Sequence, residues 1–186
     1  FVKRPPLEQE KMRIRMIFFN AIAEGSLMFR KEWCVQNNLW YLDCNGFEDY
    51  YFMRKVMEKG VISTIPDILM TYRIDKRYTN GKKSMSFNEI LHDNIKDEVG
   101  ISIRQSQLNY INPYYSNESD SVENLRRTQK ILCKIYKKCS HKLGNKYLLE
   151  TIAAIWRIKK YHNETTNRFV NGDIYDALEV SEVAYR

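Results

Sequence analysis

VISTIPDILMTYRI, residues 61–74, decides the fold that the sequence predicts. Its β-branched and apolar residues favour extended backbone, and Pro66 interrupts them. We therefore read two short strands, 61–64 and 68–74, lying on a sheet. The preceding stretch, NGFEDYYFMRKVMEKG (45–60), has a different period. Phe52 and Val56, and Met53 and Met57, are i,i+4 pairs, so a helix is expected from about 47 to 59, with Gly60 as its left-handed C-cap. SLMFRKEW (26–33) reads as another short strand with Leu27 and Phe29 on one side, and KEWCVQNN (31–38) as one or two helical turns closed by Asn37 and Asn38. Nearer the start, Leu7, Met12, Met16, Phe19 and Ala23 form a helical stripe after Pro5 and Pro6, with Gly25 as its stop.

The composition changes at DKRYTNGKKSMS (75–86), a polar, basic loop with a turn at Asn80–Gly81. Beyond it the periodicity is helical. Ile90, Leu91, Ile95 and Val99 are in register up to Gly100. Residues 121–144 carry Val122, Leu125, Ile131, Leu132, Ile135 and Tyr136 on one side, behind a capping pattern of Ser121 with Asn124. KYLLETIAAIWRIKKYH (146–162) is a further amphipathic helix with Trp156 in its core face, and 171–186 reads as one more. Tyr110, Tyr114 and Tyr115 around Pro113 form an aromatic loop to which the sequence gives no role. The expected fold class is thus α+β, mostly helical: a mixed part over 1–80 and a helical tail over 81–186.

The 186 residues are 44% hydrophobic and 28% charged, which permits a packed core and argues against global disorder. A net charge of +7 draws the chain towards anions: nucleic acid, acidic lipid headgroups or phosphorylated small molecules. No helix-turn-helix, zinc-finger or RNP pattern is visible, so nucleic acid is not the expected partner. Cys34, Cys44, Cys133 and Cys139 form no C-x-x-C pair and, with His92, His141 and His162, give no zinc spacing. They read as reduced thiols of a cytosolic protein. No apolar run approaches the roughly 18 residues of a membrane span. Arg126, Arg127, Lys130, Lys134, Lys137, Lys138, Lys142 and Lys146 gather in about 20 residues, and 127, 130, 134, 138 and 142 share one helical face. Such a face is either solvated or in contact with anionic phospholipid.

Two adjacent acids, Glu48 and Asp49, head the helix at 47–59. The exposed N–H groups of a first turn stabilise a carboxylate by roughly 0.3–1 kcal/mol, and no chemistry is needed to explain the pair. The same placement keeps a carboxylate ionised and fixed, as a general base requires. Trp40, Tyr41 and Phe47 just before it suit one wall of a cleft for a ring-shaped ligand.

The ordered set Asn20, Ile22, Ser26, Met28, Phe29, Arg30, Leu39, Tyr41, Asp43, Glu48, Asp49, Tyr50, Gly60, Ile65, Pro66, Leu69, Tyr72 and Arg73 resembles the C-terminal half of bacterial family 2 glycosyltransferases. The resemblance covers roughly residues 7–80. It implies the C-terminal part of a GT-A α/β sandwich with short strands, followed by the helical tail. It implies inverting sugar transfer from a nucleotide-sugar donor to a saccharide or lipid-linked acceptor in cell-surface polysaccharide synthesis. By the same resemblance, Asp49 is the base and Glu48 its orienting neighbour. Trp40, Tyr41 and Asp43 belong to the substrate wall, with Arg73, Lys76 and Arg77 on a loop over a diphosphate. Mg²⁺ or Mn²⁺ is the implied cofactor, and the cytoplasm, at the inner face of the bacterial membrane, the implied location. Three departures stand out. No D-x-D occurs in the sequence, so the donor-binding half is expected to lie outside it. Asp75 stands where the family's Tyr-Arg-x-His has histidine, leaving it as a possible metal ligand. Glu24-Gly25-Ser26 replaces His-Pro-Ser. Apolar exposure near 27–29 and 61–72, and with it self-association into a homo-oligomer, is the corollary. The alternative function is a non-catalytic basic helical module for acidic lipid, a protein partner or nucleic acid.

Overall fold

The computed structural model describes residues 5–42, 46–71, 82–114, 122–139, 143 and 145–161. Seven α-helices run through them: α1 (Gln9–Phe18), α2 (Lys31–Gln36), α3 (Glu48–Lys59), α4 (Lys82–Val99), α5 (Gln105–Leu108), α6 (Val122–Cys139) and α7 (Asn145–Tyr161), with a 3₁₀ turn at Glu24–Ser26 between α1 and α2. The predicted turn at Asn80–Gly81, the Ser121 cap and the helix at 171–186 lie outside the described residues.

α1 holds the centre. Met12, Ile14, Met16, Ile17 and Phe18 are all buried, which covers the helix on most sides. It packs against α4 and α7, and α6 packs against α7 and α4. The buried apolar residues of 12–57 and those of 87–156 therefore form one continuous core, with Phe18, Tyr50, Phe87 and Trp156 among its largest members. One polar pair inside it is matched. The Asn94 amide donates to the Tyr50 hydroxyl at 2.8 Å, and that hydroxyl donates to the Met16 carbonyl.

The expected sheet is absent: the described residues contain no strand, so the α/β sandwich is corrected to an all-helical arrangement. The cause is visible in 61–71. Its backbone does not coil into a helix, as its composition requires, but it has no ladder partner. The Ile62 N–H instead donates to the Gln9 side chain at 3.2 Å, and the Thr64 hydroxyl to the Pro6 carbonyl at 2.8 Å. β-propensity reports how well side chains fit a pleated, half-buried surface; a strand also needs a second row of N–H and C=O groups. Val61, Ile65, Ile68 and Leu69 are consequently 62–76% exposed. The strand predicted around 27–29 is missing for the same reason, with Met28 and Phe29 exposed and Leu27 partly buried.

Three boundaries also differ. α1 stops at Phe18, well before Gly25, because Phe19 is extended and the Asn20 side chain takes the Ile22 N–H at 3.1 Å, competing with the helix. α4 begins at Lys82, inside the predicted polar loop. Gly60 is extended (φ −149°, ψ −167°), not left-handed. A Cβ there would lie 2.8 Å from two ring carbons of Trp33, so close approach, not backbone conformation, selects glycine. Gly100, with φ +70°, does close α4 in the left-handed region. Among the described residues no helix is long and apolar enough to cross a membrane.

Candidate functional site

Asp49 sits in the first turn of α3, half-buried and therefore not sealed from solvent. Its Oδ1 accepts the Tyr50 N–H at 2.7 Å, and its Oδ2 accepts the Asn20 amide at 3.0 Å. A carboxylate has about four acceptor directions, so two remain for a hydroxyl donor. Asn20 is itself fixed from three sides. Its amide holds Asp49, its Oδ1 takes the Ile22 N–H, and its backbone N–H donates to the Tyr114 hydroxyl at 3.0 Å.

Tyr114 closes one flank. Its ring stands edge-on to Phe87 with centroids 4.7 Å apart and lies 6.2 Å from Phe47. Its backbone N–H is anchored on Asn112, which in turn donates to Asn88 on α4. The residue is 47% exposed overall, but its hydroxyl points inward to Asn20. Burial pushes that hydroxyl up to about 12; the Asn20 N–H eases the shift, and the Asp49 charge adds to it.

The other flank is an aromatic shelf. Tyr41 stacks on Phe52 at 4.4 Å with the planes 13° apart, and Phe29 tilts onto Phe52 at 5.4 Å. Tyr41 and Trp40 are 41% and 54% exposed, and Trp40 is oriented by an N–H donated to Asn38. The Tyr41 hydroxyl is also pushed up to about 12, by burial first, then by the charge of Glu24, with which it shares a hydrogen bond, and then by Asp49. Asp49 thus lies in the field of two phenols that stay protonated at neutral pH.

Alkaline titration checks this. Tyr41 and Tyr114 are protonated when folded at pH values where an unfolded tyrosine, near 10, has ionised. Their stabilising effect is therefore complete below pH 10 and is lost as pH rises towards about 12. Tyrosinate absorbance should show a late-ionising group of the thirteen tyrosines that shrinks in Tyr114→Phe. A single transition near pH 10 would contradict the geometry.

Of the residues predicted for the site, Asp49, Glu48, Trp40, Tyr41 and Phe47 are described, and Phe47 is buried against Phe87 and Tyr114, not a wall open to a ligand. The charge of Asp49 reaches the Tyr41 hydroxyl, Trp40 is exposed next to Tyr41 in the chain and bonded to Asn38, and Glu48 makes none of these contacts. Asp43, Arg73, Asp75, Lys76 and Arg77 lie outside the described residues. Three contributors were not predicted in these roles: Asn20, Glu24 and Tyr114. Asn20 belongs to the resemblance set, and Tyr114 to the aromatic loop around Pro113, but neither pattern says that the two meet. Among the described residues no three Asp, Glu, His or Cys side chains gather as a metal site. Comparison with protein-family models, curated proteins and solved structures yields no match.

Proposed function

We propose that the Asp49 site is the acceptor side of a sugar-transfer reaction. One observation carries the reading: Asn20, Tyr41 and Asp49, drawn from three separate motifs, converge on a half-open carboxylate beside an exposed aromatic shelf. Aromatic faces such as Trp40 and Tyr41 suit the apolar C–H faces of a sugar ring, and the carboxylate suits its hydroxyls. An acceptor hydroxyl lying on the shelf hydrogen-bonds to Asp49. Its oxygen attacks the anomeric carbon of a nucleotide-sugar, the bond to the diphosphate breaks, and the hydroxyl proton passes to Asp49. Asn20 is a positioning residue: its amide fixes Oδ2 and leaves the outer lone pairs of the carboxylate for the acceptor. The divalent metal of the resemblance supplies charge neutralisation at the diphosphate when bound; the described residues assign it no ligands, and no step here depends on it. Under this reading the protein works in the cytoplasm, at the inner membrane face, where nucleotide-sugars and lipid-linked acceptors meet.

Asp49→Asn, introduced into the full-length gene product, keeps the size of the side chain and removes the base. Release of nucleoside diphosphate from the donor in the presence of acceptor should fall by about 10²–10⁴-fold, with the thermal transition unchanged. Near-normal turnover would refute the role of Asp49.

A further inference from the structure

A second site lies on α6, away from the acid. Lys130, Lys134, Lys137 and Lys138, with Gln129 and Cys133, face the segment Gly100–Ser102 across an open groove of about 850 Å³. All four lysines are exposed, and no carboxylate among the described residues pairs with any of them. Arg127, one turn earlier on the same basic face, is committed elsewhere, bonding Glu123 at 3.1 Å and the Tyr110 hydroxyl at 2.7 Å. The groove has no acidic lining residue, and its floor includes Ile101 and the half-buried Cys133.

Helix chemistry alone accounts for part of this. Lys137 and Lys138 occupy the last turn of α6, where the helix dipole favours cations. Lys130 and Lys134 do not. The pairs 130–134 and 134–138 are like charges at i,i+4, which repel and weaken a helix. Such a row is relieved by a bridging anion. Lys130 to Lys138 spans eight residues, about 12 Å along the axis, which fits several linked phosphates better than one.

We propose that the groove between α6 and Gly100–Ser102 binds a phosphate-chain anion, held by Lys130, Lys134, Lys137 and Lys138. The shared chemistry is closely spaced phosphate. Its source is either a soluble di- or triphosphate or the phosphorylated headgroups of a membrane.

The test uses the whole chain at low salt. Sodium tripolyphosphate is titrated by calorimetry, and vesicles of phosphatidylcholine with or without phosphatidylglycerol are sedimented with the protein. Tripolyphosphate should bind saturably, more weakly as salt rises. Lys134→Gln with Lys138→Gln should weaken it at least about tenfold, the equivalent of 1.4 kcal/mol; Lys31→Gln on α2 should not. Cys133 gives a second readout. Its thiol is raised by burial, and Lys137 eases that shift. A bound anion covers the thiol and offsets Lys137, so alkylation of the Cys133 peptide by neutral iodoacetamide should slow as tripolyphosphate is added. Binding of tripolyphosphate without vesicle sedimentation assigns a soluble ligand. Sedimentation only with phosphatidylglycerol, reversed by tripolyphosphate, assigns a headgroup. Neither binding, binding untouched by the lysine substitutions, or equal binding of citrate would overturn the proposal.

Discussion

Glu98→Gln is expected to destabilise the protein by about 3–5 kcal/mol, read by denaturant unfolding. Glu98 Oε1 accepts from Arg54 at 3.1 Å and Oε2 from Arg13 at 3.2 Å. The side chains of Arg54 and Glu98 are only 7% and 14% exposed, whereas Arg13 reaches solvent. Coulomb attraction is strong where water is excluded, but both ions have also lost their hydration. Removing one partner therefore leaves the other charged and buried with nothing to offset it. The Arg54 Nε is already buried without a hydrogen-bond partner among the described residues, so the guanidinium has no reserve contact there to fall back on. The double variant Arg54→Met with Glu98→Leu removes both charges and should recover most of the loss. A Glu98→Gln effect below about 1 kcal/mol would mean that the pair behaves as an exposed one. A double variant no better than the single would mean that the pair, and not the stranded charge, holds the stability.

Trp156→Ala should also cost about 3–5 kcal/mol. Trp156 is 1% exposed in α7, the helix that packs against both α1 and α6. Truncation removes the largest fully buried side chain at the junction of three helices and leaves a cavity there that rigid neighbours fill only in part. Its indole N–H has no hydrogen-bond partner among the described residues. Trp156→Phe loses ring volume but also discards that unmatched donor. Its cost should therefore be well under half that of alanine. Equal losses for Phe and Ala would show that the indole N–H, and not the ring volume, carries the stability.

Periodicity made the helices readable. The stripe of Val122, Leu125, Leu132 and Ile135 returns as α6, Trp156 is core, and the paired spacings at 52–57 return as α3. The sheet was misread at 61–74 because composition records what one segment prefers and is silent on whether another lies beside it. Two glycines make the same point. Gly100 closes a helix by its own backbone, which sequence spacing finds, while Gly60 is set by a Trp33 ring that only tertiary packing brings near. Asp49 was legible because it heads a helix. The Tyr114 flank was not, since its bond to Asn20 joins residues 94 apart. Only the folded core brings 114 to 20, through the chain of amides that links Asn112 to α4.

The central place of α1 has a consequence for biosynthesis. The ribosome delivers α1 before its partners α4 and α7, which follow only after long intervening stretches. At roughly 5–20 residues per second, its apolar sides wait on the order of ten seconds before α7 emerges to cover them. A nascent chain in that state is a natural client for holdase chaperones, and a stop codon ahead of α7 would leave a sticky intermediate with no native form to reach.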